Sequence, residues 1–176
     1  GDSGKLDSLR VLLGQIAEGN HRVLIFSQFR GMLDRIEKEL PQLGLTSYKI
    51  TGSTPSQERQ EMTKAFNQGE RDVFLISLKA GGVGLNLTGA DTVILVDLWW
   101  NPAVESQAIG RAHRMGQDQA VEVYRLVTRG TIEEKIQELQ EEKKNLVSEV
   151  LDGTESRGSL TLTEIQEILG ISEAKT

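Results

Sequence analysis

Apolar residues recur along this chain in two rhythms: three and four apart over longer stretches, and contiguous over short runs. The first marks helices; the second marks strands covered on both faces. Leu6 to Ala17 has helical spacing, with Gly19-Asn20 as its stop. His21-Arg22 leads into VLIFS, a buried strand. Met32, Leu33, Ile36 and Leu40 make the next helix, ended by Pro41. TSYKI predicts a second strand. GSTPSQER then predicts a helix start, with Thr54 as N-cap, Pro55 in the first position and Gln57 three residues after the cap. That helix runs to Phe66 and breaks at Asn67-Gln68-Gly69. DVFLIS and TVILVD predict the third and fourth strands, separated by the glycine-rich LKAGGVGLNL, and a helix follows from Pro102. VEVYRLV alternates as a fifth strand. Thr131 and Glu134 form a capping box heading the long helix of TIEEKIQELQEEKKNLVSEVL. Gly153 to Ser159 reads as a small-residue linker, and Leu162 to Leu169 as a short, exposed tail helix capped by Thr161 or Thr163.

Strands alternating with helices in this way predict an α/β fold, a doubly wound parallel sheet with helices on both faces. Residues 1–130 are expected to form that lobe, 131–152 the long helix, and 153–176 a linker and tail helix. Open parallel sheets bind ligands at the carboxyl ends of their strands. Function is therefore expected in the loops SQFR, TGST, LKAGG and DLWWNP, which follow the first four strands.

Length changes this picture little: 176 residues suffice for one sizeable core. Charge changes it more. The net charge is −6, yet residues 1–130 carry 15 acidic and 15 basic side chains, whereas 131–176 carry 11 and 5. The lobe is neutral, so any nucleic-acid contact must be made locally. Without Cys there are no disulfides or thiolate sites, and His21 and His113 stand at no ligand spacing, so no metal site is assigned. No apolar run is long enough for a membrane span, and the first residues lack the apolar core expected of a signal peptide.

The opening GDSGKLDS is not a Walker A loop. Only two residues separate Gly1 from Gly4, Leu6 follows Lys5 where Ser or Thr is needed, and no strand precedes it. Gly81, Gly82 and Gly84 after the third strand let backbone N–H groups approach an anion, and Lys79 adds a point charge; a tight structural turn is the alternative. Asn86 can bond a sugar hydroxyl or cap. Of Trp99 and Trp100, at least one is expected in the core, while Asn101-Pro102 reads as an N-cap and first helical position. In QAIGRAHRMGQ, residues Gln107, Arg111 and Arg114 fall within about 60° of one another on a helix. Val104, Ala108, Ala112 and Met115 form an apolar stripe beside them. One such arginine reads as a solvated face. Two, aligned beside an anchoring stripe, suit an anion, and triphosphate in particular, because guanidinium is planar and permanently charged.

The series VLIFSQF, TGSTPSQER, SLKAGGVGLNLTGADTVILVD and WNPAVESQAIGRAHRMGQ resembles the second RecA-like lobe of Swi/Snf-type ATPases of helicase superfamily two, from about Lys5 to Leu151. The resemblance implies a RecA-like sheet and a brace-type helix from Thr131. It implies that ATP and Mg²⁺ are held mainly by an N-terminal RecA-like lobe, absent here, with Arg111 and Arg114 as arginine fingers and Gln107 nearby. Gly82, Gly84 and Asn86 match positions that close on the nucleotide. Ser27, Gln28, Thr51, Gly52, Lys79, Ala80 and Gly81 match positions along a double-stranded-DNA track. The chain alone is expected to be monomeric and inactive in hydrolysis. The compact spacing after the third strand leaves no room for the helical insertion of some eukaryotic remodellers and looks more bacterial or archaeal. The expected location is cytoplasmic or nucleoid-associated in a prokaryote, nuclear in a eukaryote. An RNA-directed helicase lobe and a stand-alone nucleic-acid-binding module are the alternatives.

Overall fold

The computed structural model describes residues 2–78, 85–96, 120–126 and 154–169. Helix α1 (Asp2–Glu18) is followed by strand β1 (Val23–Ser27), helix α2 (Arg30–Glu39) and a 3₁₀ turn over Leu40–Leu43. Strand β2 (Ser47–Ile50), helix α3 (Ser56–Asn67) and strand β3 (Val73–Ser77) come next. Strands β4 (Thr92–Val96), β5 (Ala120–Leu126) and β6 (Thr154–Thr161) and a short helix, α4 (Leu162–Leu169), complete the described elements. The strands form one sheet in the order β2-β3-β1-β4-β5-β6. The first five run parallel, and β6 runs antiparallel to β5 at the edge.

Every residue of β1, β3 and β4 is buried, as contiguous apolar runs require of strands covered on both faces. Alternate residues serve opposite cores. Leu24, Phe26, Phe74, Ile76, Val93 and Leu95 face Phe66 of α3 and Leu162, Ile165 and Ile168 of α4. Val23, Ile25, Val73, Leu75, Ile94 and Val96 face Leu9, Leu13 and Ile16 of α1 and Leu33 and Ile36 of α2. Among the described residues, two helices thus cover each face of the doubly wound sheet.

Local sequence explains most boundaries. Asn20 adopts a left-handed conformation, φ 57°, and the His21 N–H bonds the Ile16 carbonyl, closing α1. Pro41 ends α2 by turning it into 3₁₀. Two expectations need correction. Thr54 does not cap α3; Pro55 occupies the N-cap, and the Thr54 hydroxyl accepts the Thr51 N–H at 3.0 Å. The closer competitor for that oxygen is the loop before the helix, which needs it to fold back on itself.

The larger correction is at the C-terminus. Most of the expected linker at Gly153 to Ser159 falls in β6, Thr154–Thr161, and the expected exposed helix, α4, is packed into the core. Small polar residues can form an edge strand when a neighbour offers its free ladder, and β5 does. Thr161, not Thr163, caps α4. Its hydroxyl accepts the Glu164 N–H at 3.1 Å, and Glu164 accepts the Thr161 N–H at 2.8 Å, a reciprocal capping box. The long helix expected over 131–152 lies outside the described residues.

Candidate nucleic-acid and nucleotide interface

Parallel pairing places the carboxyl ends of β2, β3, β1 and β4 on one edge. Ser27 pairs with Ser77 on one side and Val96 on the other, and Ile50 pairs with Ile76. Thr51, Ser77 and Ser27 therefore stand in a row across three adjacent strands, about 4.8 Å from one strand to the next. All three are buried. Ser27 Oγ accepts the Phe29 N–H at 3.0 Å, and Thr51 Oγ1 lies 3.1 Å from Ser53 Oγ. These hydroxyls shape the loops that follow their strands. The surface they create is Gln28, half-buried, and Phe29, Gly52 and Ser53, exposed.

The TGST loop is held closed. Thr54 N–H bonds the Thr51 carbonyl while Thr51 N–H bonds the Thr54 hydroxyl. Arg59 of α3 reaches back to the Thr54 carbonyl at 2.8 Å and the Gly52 carbonyl at 3.5 Å. The loop is thus preformed, with its backbone at the edge.

Ser27, Gln28, Thr51 and Gly52 are brought together as the sequence predicts. Ser77 joins them without having been singled out; its position one residue before the loop, on a strand flanked by β1 and β2, was the available signal. Asn86 stands apart from this row. Its segment is extended, with Leu85 and Leu87 buried and Asn86 and Thr88 exposed. Asn67, the last residue of α3, donates to the Asn86 carbonyl at 2.8 Å and accepts the Thr88 and Gly89 N–H groups at 2.9 and 3.0 Å. Gly89 in turn meets Arg22, just before β1, so the segment descends towards the amino ends of the strands. Lys79, Ala80, Gly81, Gly82, Gly84, Gln107, Arg111 and Arg114, with Trp99 to Pro102, lie outside the described residues.

A row of buried hydroxyls beneath the half-buried Gln28 amide and a closed backbone loop is a surface suited to phosphodiester oxygens rather than to base edges. The family described as helicase conserved C-terminal domain matches residues 4–116, which spans this edge and the glycine-rich segment. The chain belongs to that family.

This helicase C-terminal lobe is 46% identical over 153 residues to the chromatin-remodelling ATPase INO80 of Homo sapiens, a match covering 86% of this chain and 10% of that protein. It is 45% identical over 158 residues to INO80 of Aspergillus oryzae, covering 89% and 11%. Among solved structures, the C-terminal part of the Fun30 ATPase domain matches with a TM-score of 0.63 and 35% identity, over 91% of the lobe and 47% of that chain. The lobe thus spans about a tenth of the curated relatives it matches. Its resemblance to the second RecA-like lobe of Swi/Snf-type ATPases is borne out, and with it the RecA-like α/β fold.

Proposed function

We propose that this lobe is the second motor lobe of an ATP-driven double-stranded-DNA translocase within a larger chromatin-remodelling ATPase. The observation that carries this reading is the match to INO80 over 86% of the chain, on a sheet whose carboxyl edge gathers Ser27, Gln28, Thr51, Gly52 and Ser77. The names of those relatives favour duplex DNA over RNA as the track and a nuclear location over a cytoplasmic or nucleoid one. Among the described residues, no helix is long and apolar enough to cross a membrane.

In this reading the edge grips the DNA backbone. Hydroxyls, amides and backbone N–H groups suit phosphate and sugar oxygens, and such contacts position without reading sequence, as movement along any duplex requires. None of the five edge residues is a carboxylate, so they do not fit Mg²⁺, which is assigned with the triphosphate to the N-terminal lobe. Asn86, Gly82 and Gly84 would close on the nucleotide. Arg111 and Arg114 would stabilise charge developing on the transferred phosphoryl group, with Gln107 beside them. When bound, ATP and Mg²⁺ supply the phosphoryl chemistry; the lobe's part is to complete and orient the site. Alone it is proposed to be monomeric and inactive in hydrolysis.

The test uses the full-length protein. Arg111→Ala and Arg114→Ala should each lower duplex-stimulated ATPase by about 10³-fold or more while leaving folding intact. Retained activity in both variants would remove the arginine-finger role. Stimulation by RNA in place of duplex DNA would transfer the track to the RNA-directed reading.

A further inference from the structure

The segment Asn86–Gly89 is gripped through its backbone by three side chains from separate parts of the chain. Asn67 of α3 holds the Asn86 carbonyl and the N–H groups of Thr88 and Gly89. Arg22 donates to the Gly89 carbonyl. Gln166 of α4 holds Leu87 on both sides: its Oε1 accepts the Leu87 N–H at 2.9 Å, and its Nε2 donates to the Leu87 carbonyl at 2.9 Å. The same Nε2 donates to the Leu162 carbonyl at 3.0 Å, which ties the amide to its own helix. Gln166 is buried, as are Leu87 and the α4 residues Leu162, Ile165 and Ile168 around it.

A buried primary amide that pairs with one residue's N–H and C=O mimics a neighbouring strand. It aligns that residue's backbone, and therefore its neighbours' side chains, in one orientation. Here the neighbour is Asn86, whose own side chain is exposed while its backbone is anchored. Removing the amide leaves two buried backbone groups of Leu87 without these partners, so the segment must shift to find others.

We infer that Gln166 is a positioning residue for Asn86: the C-terminal helix, remote in sequence, sets the placement of the segment proposed to close on nucleotide. This rests on the motor-lobe reading for its consequence, although the clamp itself stands on geometry alone. It gives β6 and α4 a role beyond covering the sheet, because they bring Gln166 back to residues 79 positions earlier.

Two measurements on the full-length protein test it. In Gln166→Met, similar in size but without the amide, hydrogen exchange at the Leu87 amide should quicken by about tenfold or more relative to amides of β1 and β3. In the same variant KM for ATP should rise about threefold or more with kcat within about twofold, because binding and not chemistry is disturbed. Gln166→Glu keeps the acceptor for the Leu87 N–H but sets a second acceptor oxygen against the Leu87 and Leu162 carbonyls, so it should quicken exchange and raise KM at least as much as Met. Unchanged exchange at Leu87 in both variants would overturn the clamp. Faster exchange with unchanged KM would overturn the coupling to nucleotide. Uniform acceleration across β1 and β3 in Met, with Glu behaving as wild type in KM, would reduce Gln166 to a structural residue and overturn the proposal. Failure of the motor reading would show instead in the Arg111 and Arg114 variants, which leave Gln166 unchanged.

Discussion

Arg22 illustrates how much a single side chain can close. Its guanidinium lies 4.0 Å over the Phe66 ring and donates to the carbonyls of Glu70, Arg71 and Gly89. Burial pulls its pKa below the ordinary arginine value, against the pull of Asp72 and Asp91, and it stays charged. Arg22→Ala strips three carbonyls of one donor and should cost about 2–3 kcal/mol by chemical denaturation. Gly89 shows the complementary constraint. A Cβ there would stand 2.7 Å from Cα of Asn67 and 3.0 Å from the Phe66 carbonyl oxygen, both backbone atoms that cannot move aside. Gly89→Ala should therefore destabilise by about 1–3 kcal/mol and loosen the Asn67 clamp, read as faster exchange at Thr88.

Elements are joined by equally specific devices. Lys49 of β2 bonds Asp34 and Glu37 of α2, each at 2.7 Å. Burial works against the Lys49 charge, but the bonds and attraction from the two carboxylates outweigh it and raise its pKa. The hydrogen bond from Lys49, supported by its charge, holds the Asp34 carboxyl below the usual carboxylate range. A depressed carboxyl stabilises the fold above its unfolded pKa and loses that contribution as pH falls through its folded value. The Tm gap between wild type and Lys49→Met should thus be present at neutral pH and narrow below the usual carboxylate range. The gap should be small, because Asp34 is about half exposed. At α4 the capping box gives a second test. Thr161→Ala should cost about 1 kcal/mol, and Thr163→Ala less at the cap, as read from denaturation midpoints.

At the scale of the whole molecule, the C-terminal β6 and α4 belong to the lobe's core. Ile165 is fully buried against the sheet, so Ile165→Ala should cost about 2–5 kcal/mol in equilibrium unfolding of the chain. An exposed tail helix would tolerate the change within about 0.5 kcal/mol, a difference large enough to decide. The same packing joins α4 to the face that carries Leu85 and Leu87, so stability and the placement of Asn86 are linked through one core. The proposed DNA contact would have to be made by local surface, since the charges of residues 1–130 balance.

The alternation of apolar runs and helical spacing was enough by itself to determine β1 to β5, α1 to α3 and the parallel, two-faced sheet. A contiguous apolar strand has few other ways to hide both faces. The loops after the strands followed from that topology, and with them Ser27, Gln28, Thr51 and Gly52 on one edge. Only the tertiary structure decided the rest. The hydroxyl of Thr54 was expected to cap the helix, and the fold of the loop gave it to the Thr51 N–H instead. The polar run TESRGSLT carries no strand periodicity, and becomes a strand because β5 presents an open ladder. Asn67 read as part of a helix break, and nothing in the sequence singled out Gln166 within the short helix that carries it. Their joint grip on Asn86–Gly89 depends on contacts between residues 19 and 79 positions apart, a separation over which no local pattern carries information.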